Sequence, residues 1–413
     1  MENRLVIVGA GQSGFAVAAK LRALGDQRPI TMIGDEGLPP YQRPPLSKKY
    51  LTGAVEFGSL LFRPEDWFRE KGIDLRLSNP VEEIDRQTKH VVMRNGEKLA
   101  FGDLVLTTGA SPRRLPSAIG GDLEGVYVVR DKRDCDLLRR VMHPGRCVLI
   151  VGGGYIGLEA AAVARTLGLK VLLLELGTRI LQRVAASDTS AIVRAVHLAN
   201  GVELREDTGL RMLISDKGRV VGAELSDGSR VTADFVIVGI GVVPNDQLAR
   251  ASGLAVGNGI SVDEYGRTSD PSIFAAGDCA EFSYRGMSVR LESVQNAVDQ
   301  AETVATSITG GRAPYQPQPW FWSDQFDLKL QIAGYNAGYD RTLVRNGQRP
   351  GAKSVWYFQQ EQFIAVDAIN DPKAFVSGKR MLALGINPPE EILENEALDL
   401  GEYTRSATAS SAA

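Results

Sequence analysis

Two glycine-rich stretches of this 413-residue sequence carry the residue types and the spacing that bind the pyrophosphate of a dinucleotide. Residues 9–14 read Gly-Ala-Gly-Gln-Ser-Gly, and residues 152–157 read Gly-Gly-Gly-Tyr-Ile-Gly, so each stretch has the pattern G-x-G-x-x-G. In this pattern the first glycine allows a tight turn, the second lets backbone N–H groups approach the phosphates, and the third allows a helix to pack closely on a strand. We call these stretches the first and the second glycine loop.

A glycine pattern alone is weak evidence, but the segments around the first glycine loop strengthen it. Residues 4–8 are a short apolar run typical of a strand, and residues 15–24 have the apolar spacing of a helix. Residues 29–34 predict a second strand, with Asp35 and Glu36 at its carboxyl end, near the distance at which an acidic side chain meets a ribose hydroxyl. This order predicts a dinucleotide-binding unit.

The second glycine loop has the same surroundings. Cys147–Val151 predicts a strand, residues 158–167 predict a helix, and Lys170–Leu174 predicts a strand that is followed by Glu175. A carboxylate there accepts hydrogen bonds from a free 2′-hydroxyl and repels a 2′-phosphate, which favours NADH over NADPH.

A chain with two such units would hold one dinucleotide permanently and exchange the other, and the usual pair is a flavin and a nicotinamide. Arg179 and Arg183 lie close to Glu175 and are either a site for a 2′-phosphate or solvated charges. Gly277 and Asp278 follow a short apolar run, and Asp278 can accept hydrogen bonds from a ribitol chain. We therefore expect FAD at the first unit and NADH at the second.

Four segments resemble the two-dinucleotide-binding flavoproteins with the glutathione reductase fold, and more narrowly the putidaredoxin-reductase-like ferredoxin reductases. They are Arg-Pro-Pro-Leu-Ser-Lys at 43–48, residues 152–159, Glu-Ser-Val-Gln-Asn-Ala at 292–297 and Pro-Trp-Phe-Trp-Ser-Asp-Gln at 319–325. The resemblance extends over nearly the whole chain. In the related disulfide reductases a C-x-x-x-x-C pair lies where residues 43–48 are found here, so its absence argues against dithiol chemistry.

The resemblance implies which residues bind the cofactors. For FAD they are Gly9, Gly11, Ser13, Gly14, Asp35, Arg43, Pro44, Lys48, Val81, Arg130, Asp278, Val294 and Trp322. The remaining cofactor-binding residues are Gly152, Gly154, Ile156, Gly157, Glu159, Glu175, Arg183 and Gly241. Val294 is expected at the start of a helix, whose N-terminus would stabilise negative charge on the reduced flavin.

Lys48 and Glu159 are the expected catalytic residues, since the matching lysine and glutamate pair beside the flavin in the resembling family. The pair would orient the nicotinamide rather than donate protons. Two simpler interpretations stay open: Lys48 as an exposed loop cation, and Glu159 as an acid in the first turn of a helix, where the helix dipole favours it. For Trp320 and Trp322 the alternatives are a place on the electron exit route and packing at a domain interface.

The expected fold class is α/β, with two Rossmann-like dinucleotide-binding domains, for FAD and NAD, and a smaller α+β C-terminal domain. The FAD domain is predicted to be discontinuous, at residues 1–111 and 243–320. The NAD domain is predicted at residues 112–242, and the C-terminal domain at residues 321–413.

The resemblance implies an NADH-dependent ferredoxin reductase, whose partner is a two-iron, two-sulfur ferredoxin serving a haem monooxygenase or an aromatic-ring oxygenase. One alternative is a reductase of another acceptor, such as rubredoxin or monodehydroascorbate. A second alternative, of a different class, is a flavin-bound signalling protein similar to the apoptosis-inducing flavoproteins.

Composition narrows these choices. The net charge of −3 gives no overall basic field, so nucleic acid is not an expected partner. Three widely spaced cysteines and three histidines give no recognisable metal-ligand spacing, and we expect no metal. No apolar run approaches the roughly 18–20 residues that cross a bilayer. We expect a cytoplasmic monomer that does not bind membranes.

Overall fold

Five parallel strands form the main sheet of one part of the chain. In spatial order they are Ile273–Ala275, Asp103–Leu106, Leu5–Val8, Ile30–Ile33 and Ile73–Arg76. Both faces of a parallel sheet are covered, which is why its strands are continuous apolar runs such as Leu-Val-Ile-Val at 5–8, whose four residues are all buried. The α-helices of this part are Gln12–Ala23, Glu65–Glu70, Gln247–Ala251 and Val294–Ile308.

The structure, a computed structural model, describes residues 3–411 and the side chains of residues 3–408. The chain divides into two units by its internal contacts. The first unit contains Met1–Arg43, Glu56–Ser111 and Val242–Pro317, and the second contains Pro44–Val55, Pro112–Gly241 and Gln318–Ala413. The division into three domains stays a prediction, and its outermost residues lie outside the described part.

Smaller strands and one short helix complete the first unit. One antiparallel sheet contains Val81–Asp85, His90–Met93 and Lys98–Ala100, and a further sheet contains Val256–Gly257, Gly259–Ser261, Ala280–Tyr284 and Met287–Val289. Phe57–Leu60 is a 3-10 helix. Ala110–Pro112 pairs with Val242–Pro244 where the chain passes between the units.

A second five-stranded parallel sheet lies in the second unit. Its strands, in spatial order, are Glu203–Arg205, Lys170–Leu174, Cys147–Val151, Phe235–Val238 and Val126–Tyr127. A separate antiparallel sheet in the same unit contains Leu210–Asp216, Arg219–Leu225 and Arg230–Thr232. Its helices are Lys132–Arg139, Tyr155–Thr166 and Ser187–Ala199, with the short helical segments Leu46–Tyr50 and Ser117–Ile119.

The C-terminal residues of the second unit form a five-stranded antiparallel sheet. Its strands, in spatial order, are Trp320–Gln325, Leu328–Gly334, Gln362–Ile369, Lys353–Gln359 and Arg341–Asn346. Helices Pro372–Leu384, Glu390–Glu394 and Leu400–Ser411 follow, and a core that includes Trp356, Val366 and Met381 joins strands to helices. The predicted fold class, two Rossmann-like parts and an α+β C-terminal part, is confirmed.

Candidate functional site

The first glycine loop has the backbone that a dinucleotide requires. Gly9 has a φ of +118°, and a Cβ atom there would lie 2.1 Å from the carbonyl oxygen of Thr107. A Cβ atom at Gly14 would lie 2.1 Å from the carbonyl oxygen of Gly9, whereas nothing lies within 4 Å of the same position at Gly11. Gly9 and Gly14 therefore close the turn, and Gly11 borders open space at the N-terminus of helix Gln12–Ala23.

The second glycine loop repeats this geometry. Gly152 has a φ of +109°, and its Cβ position lies 2.4 Å from the carbonyl oxygen of Gly239. The Cβ position of Gly157 lies 2.0 Å from the carbonyl oxygen of Gly152, and that of Gly154 has nothing within 4 Å. At the N-terminal ends of both helices no described side chain caps the backbone, so N–H groups remain to bind phosphate oxygens. Both loops therefore fit a dinucleotide pyrophosphate.

Glu175, directly after strand Lys170–Leu174, holds the second glycine loop in place. Its Oε2 accepts a hydrogen bond from the backbone N–H of Gly153 at 2.7 Å, and its Oε1 accepts one from Gly177 at 2.7 Å. The carboxylate is thus fixed beside the loop, at the place where the sequence predicted a ribose-binding acid. Arg183, the predicted neighbour, is exposed, and its Nη2 lies 3.3 Å from the Cβ position of Gly241.

The Gly277–Asp278 turn lies against the first glycine loop and against helix Val294–Ile308. Gly277 has a φ of +82°, and a Cβ atom there would lie 2.1 Å from Oγ of Ser13. The side chain of Gln300 accepts a hydrogen bond from the N–H of Gly277 at 2.8 Å, which ties the Gly-Asp turn to helix Val294–Ile308. Val294 is the first residue of that helix, so the predicted helix start is confirmed.

The acidic turn after strand Ile30–Ile33 has two different carboxylates. Asp35, the predicted ribose-binding residue, is exposed. Glu36 instead pairs with Arg43 and accepts a hydrogen bond from the hydroxyl of Tyr41 at 2.6 Å. The sequence placed Glu36 beside Asp35 as a ribose-binding acid, whereas in the structure its carboxylate orients Arg43, a predicted flavin-lining residue.

Lys48 and Glu159 form an ion pair in the second unit, 2.6 Å between Nζ and Oε2. The hydroxyl of Ser47 donates to the same oxygen at 2.7 Å, and the hydroxyl of Ser323 donates to Oε1 at 2.7 Å. Glu159 is only 2% exposed and Lys48 is half-buried, so Lys48 is not a solvated loop cation. Helix Tyr155–Thr166 begins earlier than predicted, so Glu159 lies beyond its first turn and the helix-dipole interpretation of this acid is wrong.

Family models cover most of the chain. The model described as pyridine nucleotide-disulphide oxidoreductase matches residues 3–301, and the model described as reductase C-terminal matches residues 320–404. The chain belongs to the pyridine nucleotide-disulphide oxidoreductase family. The expected FAD and NAD(H) dependence is confirmed, since this family and its putidaredoxin reductase members contain FAD and use NAD(H).

Named relatives of this pyridine nucleotide-disulphide oxidoreductase are similar over nearly their full length. A ferredoxin–NAD(P)(+) reductase from Sphingomonas sp is 41% identical over 95% of this chain and 97% of the relative. A rubredoxin–NAD(+) reductase from Pseudomonas putida is 38% identical over 89% of this chain and 96% of the relative. The crystal structure of a covalent putidaredoxin reductase–putidaredoxin complex covers 98% of this chain and 99% of that chain, with a TM-score of 0.95 and 38% identity.

The cysteines of this oxidoreductase, Cys135, Cys147 and Cys279, are free thiols, and their spacing contains no C-x-x-x-x-C pair. Within residues 3–411, no helix is both long and apolar enough to cross a membrane. In the same described part, no group of three or more His, Cys, Asp and Glu side chains could hold a metal ion.

Four further predicted cofactor-binding residues lie in different elements of the fold. Val81 is buried at the start of strand Val81–Asp85, and the N–H of Arg130 donates to Asp134 at 3.0 Å. Ile156 lies within the second glycine loop and is 43% exposed. Pro44 precedes the segment Leu46–Tyr50.

Trp322 lies on strand Trp320–Gln325 and stacks on Trp320, with 5.6 Å between ring centroids. The ammonium group of Lys379 lies 4.9 Å from the ring centroid of Trp320. The two indoles are half-buried, so they are neither core residues nor free surface side chains.

A buried polar cluster lies behind the start of helix Tyr155–Thr166. The Oδ2 atom of Asp367 accepts hydrogen bonds from the hydroxyls of Tyr357 and Thr189, the latter at 2.7 Å. Burial raises the pKa of Asp367 to about 6 and raises the pKa of Tyr155 well above its usual range. Within the described residues, the hydroxyl of Tyr155 and Oδ1 of Asp367 have no hydrogen-bond partner.

Proposed function

We propose that the protein takes electrons from NADH and delivers them to a two-iron, two-sulfur ferredoxin, which serves a haem monooxygenase or an aromatic-ring oxygenase. The observation that carries the proposal is the pair of equivalent glycine loops, one in each unit, in a family member whose sequence has no C-x-x-x-x-C pair. A relative named as a ferredoxin reductase, 41% identical over 95% of the chain, supports ferredoxin as the acceptor. FAD supplies the conversion from a two-electron donor to a one-electron acceptor.

The first glycine loop and its neighbours would hold FAD. The N-terminal N–H groups of helix Gln12–Ala23 would bind the pyrophosphate, and Asp278 would accept hydrogen bonds from the ribitol. The N-terminus of helix Val294–Ile308 would stabilise negative charge at the pyrimidine edge. Asp35, Arg43 and Val81 would bind FAD in the same unit. Pro44, Arg130 and Trp322, which belong to the second unit, stay predicted FAD-binding residues.

The second glycine loop would bind and release NADH. Glu175 is held in one orientation by two backbone N–H groups, so its charge stays beside the adenosine ribose and opposes a 2′-phosphate. Ile156 and Gly241 would border the same dinucleotide. Arg183, whose Nη2 lies 3.3 Å from the Cβ position of Gly241, would border it as well.

Lys48 and Glu159 would orient the nicotinamide for hydride transfer. Neither residue needs to exchange a proton in this role, because hydride transfer requires proximity and alignment more than acid–base chemistry. The short ion pair with the buried carboxylate of Glu159 supports a fixed position for the ammonium group.

A second candidate acceptor is rubredoxin, because a rubredoxin–NAD(+) reductase is 38% identical to this chain. Steady-state oxidation of NADH by the purified holoenzyme, with one acceptor at a time, separates the candidates. We expect a two-iron, two-sulfur ferredoxin to accelerate turnover by orders of magnitude over a dye, and more than rubredoxin or monodehydroascorbate. Faster turnover with rubredoxin would replace the ferredoxin proposal.

The signalling alternative gives a different result. It requires slow electron transfer to every acceptor and dimerisation when NADH reduces the protein. We propose a monomer in both redox states, which sedimentation with and without NADH would test. The cytoplasmic location stays a prediction from the sequence.

A further inference from the structure

A chain of hydrogen bonds leads from the Lys48–Glu159 pair to a buried histidine. The hydroxyl of Ser323 donates to Oε1 of Glu159 at 2.7 Å, and Nε2 of Gln325 donates to Oγ of Ser323 at 3.0 Å. At the far end, Oε1 of Gln325 lies 2.8 Å from Nε2 of His197. The chain lies entirely within the second unit.

The charge of Glu159 determines the direction of each bond in this chain. A carboxylate paired with Lys48 can only accept, so the hydroxyl of Ser323 must donate to it. The oxygen of Ser323 then accepts from the amide group of Gln325, which turns the amide oxygen toward His197. His197 must donate through Nε2–H, so every donor points toward Glu159.

The three polar side chains of this chain are buried, so each would destabilise the fold if its hydrogen bond were not made. Ser323, Gln325 and His197 are each 0% exposed, and they come from strand Trp320–Gln325 and helix Ser187–Ala199. Ser323 and Gln325 are two residues apart and so share one face of the strand. Apolar side chains would fill this space without the penalty of burying polar groups, so packing alone does not account for these three residue types.

We propose that Ser323, Gln325 and His197 are positioning residues, which fix the plane of the Glu159 carboxylate and through it the ammonium group of Lys48. The inference rests on the proposed role of the Lys48–Glu159 pair in flavin reduction by NADH.

The two carboxylate oxygens of Glu159 accept hydrogen bonds from different donors, and this difference explains how Ser323 acts on Lys48. Oε2 is shared by Lys48 and Ser47, whereas Oε1 accepts the hydroxyl of Ser323. If the bond to Oε1 is lost, the carboxylate can rotate about its last side-chain bond, and the ammonium group follows the oxygen that it is bound to. The amide of Gln325 and the imidazole of His197 hold the hydroxyl of Ser323 in its donating orientation.

The test measures the limiting rate of flavin reduction by saturating NADH in single turnovers of the FAD-loaded protein. The variants are Ser323→Ala, Gln325→Leu, His197→Leu and His197→Gln. Glutamine can place an amide N–H near the position of the histidine Nε2–H, so His197→Gln is the conservative variant. Ser354→Ala is the matched control, because Ser354 is also 0% exposed and lies in the same sheet, where it binds the indole of Trp356.

We expect Ser323→Ala, Gln325→Leu and His197→Leu to lower the limiting rate about tenfold, because small displacements of an orienting group have effects of this order. The apparent dissociation constant of NADH should change much less than the rate. His197→Gln should recover most of the wild-type rate, and Ser354→Ala should retain all of it. In a Lys48→Ala background the Ser323→Ala change should have no further effect, since residues that act through one another are not additive.

Two other outcomes would overturn the positioning role, and a third would overturn the proposed function. Variants that only melt at lower temperature, with the wild-type limiting rate, would overturn the positioning role and leave the proposed function intact. An additive effect of Ser323→Ala in the Lys48→Ala background would also overturn it. If NADH does not reduce the wild-type protein at all, the proposed function itself fails.

Discussion

The ammonium nitrogen of Lys48 lies 2.6 Å from Oε2 of Glu159, although the two residues are 111 positions apart in the chain. Lys48 belongs to the segment Leu46–Tyr50, and Glu159 belongs to the helix that starts at the second glycine loop. The loop that would bind NADH is therefore joined, through one helix, to the residue pair that would orient the nicotinamide.

Replacing Lys48 with alanine should slow flavin reduction without removing FAD. The change leaves both glycine loops intact and removes the side chain beyond Cβ, and with it the ammonium group that pairs with Glu159, so we expect a limiting rate about 10- to 100-fold lower. Stopped-flow measurement of flavin absorbance after mixing with NADH checks this. Lys49→Ala is the matched control, because Lys49 is adjacent and exposed. If NADH reduces the flavin of Lys48→Ala at the wild-type rate, Lys48 does not orient the nicotinamide.

Replacing Glu175 should weaken NADH binding and relax the choice of nicotinamide. Glu175→Ala removes the hydrogen bond to Gly153 of the loop, the hydrogen bond to Gly177 and the charge, and we expect the KM for NADH to rise about tenfold, the value of one charge-assisted hydrogen bond. Glu175→Gln keeps an acceptor oxygen but not the charge, so it should mainly raise activity with NADPH. Glu203→Ala, at the exposed start of the neighbouring strand, serves as the control. Unchanged selectivity in Glu175→Gln would contradict the assignment.

Asp367 should make the protein less stable as the pH rises through the weakly acidic range. Burial raises its pKa to about 6 from an ordinary value of 3.8, so between these values the folded state holds a proton that the unfolded state has released. Stability from this group is therefore complete below pH 3.8 and lost above pH 6, a change on the order of 3 kcal/mol.

Chemical unfolding of Asp367→Asn and wild type at several pH values measures this effect. Relative to the wild type, the variant should gain free energy of unfolding as the pH rises from 4.5 toward 7. Asp324→Asn, which replaces an exposed carboxylate on a strand of the same sheet, is the matched control. A difference between Asp367→Asn and wild type that is constant with pH would show that Asp367 ionises normally.

Local patterns predicted the parts of the fold that depend on neighbouring residues. The predicted strands Cys147–Val151 and Lys170–Leu174 have those bounds in the structure, because buried parallel strands are unbroken apolar runs. The helices after the glycine loops begin three residues earlier than predicted, at Gln12 and Tyr155, because the third glycine of each loop lies inside the first helical turn.

The contacts within the candidate site join residues that are far apart in the chain. Such contacts cannot be predicted from a local sequence pattern. Ser323 is 164 residues from Glu159, and His197 is 128 residues from Gln325. On the strand, Ser323 and Gln325 have the alternation of a solvated face, yet both are buried. In the sequence, both residues belong to the segment Pro-Trp-Phe-Trp-Ser-Asp-Gln. The resemblance identified this segment but assigned no role to Ser323 or Gln325.

The most direct test of the account separates the two glycine loops. An added methyl group at Gly14 would lie 2.1 Å from the carbonyl oxygen of Gly9, and one at Gly157 would lie 2.0 Å from that of Gly152, so either substitution forces its own loop open. Gly58→Ala is the control, because nothing lies within 4 Å of that position. The measurement is the FAD content of the purified variants, followed by flavin reduction with NADH. The account predicts that Gly14→Ala loses FAD, whereas Gly157→Ala keeps FAD and is reduced poorly by NADH. A colourless Gly157→Ala beside a Gly14→Ala that retains its flavin would contradict it.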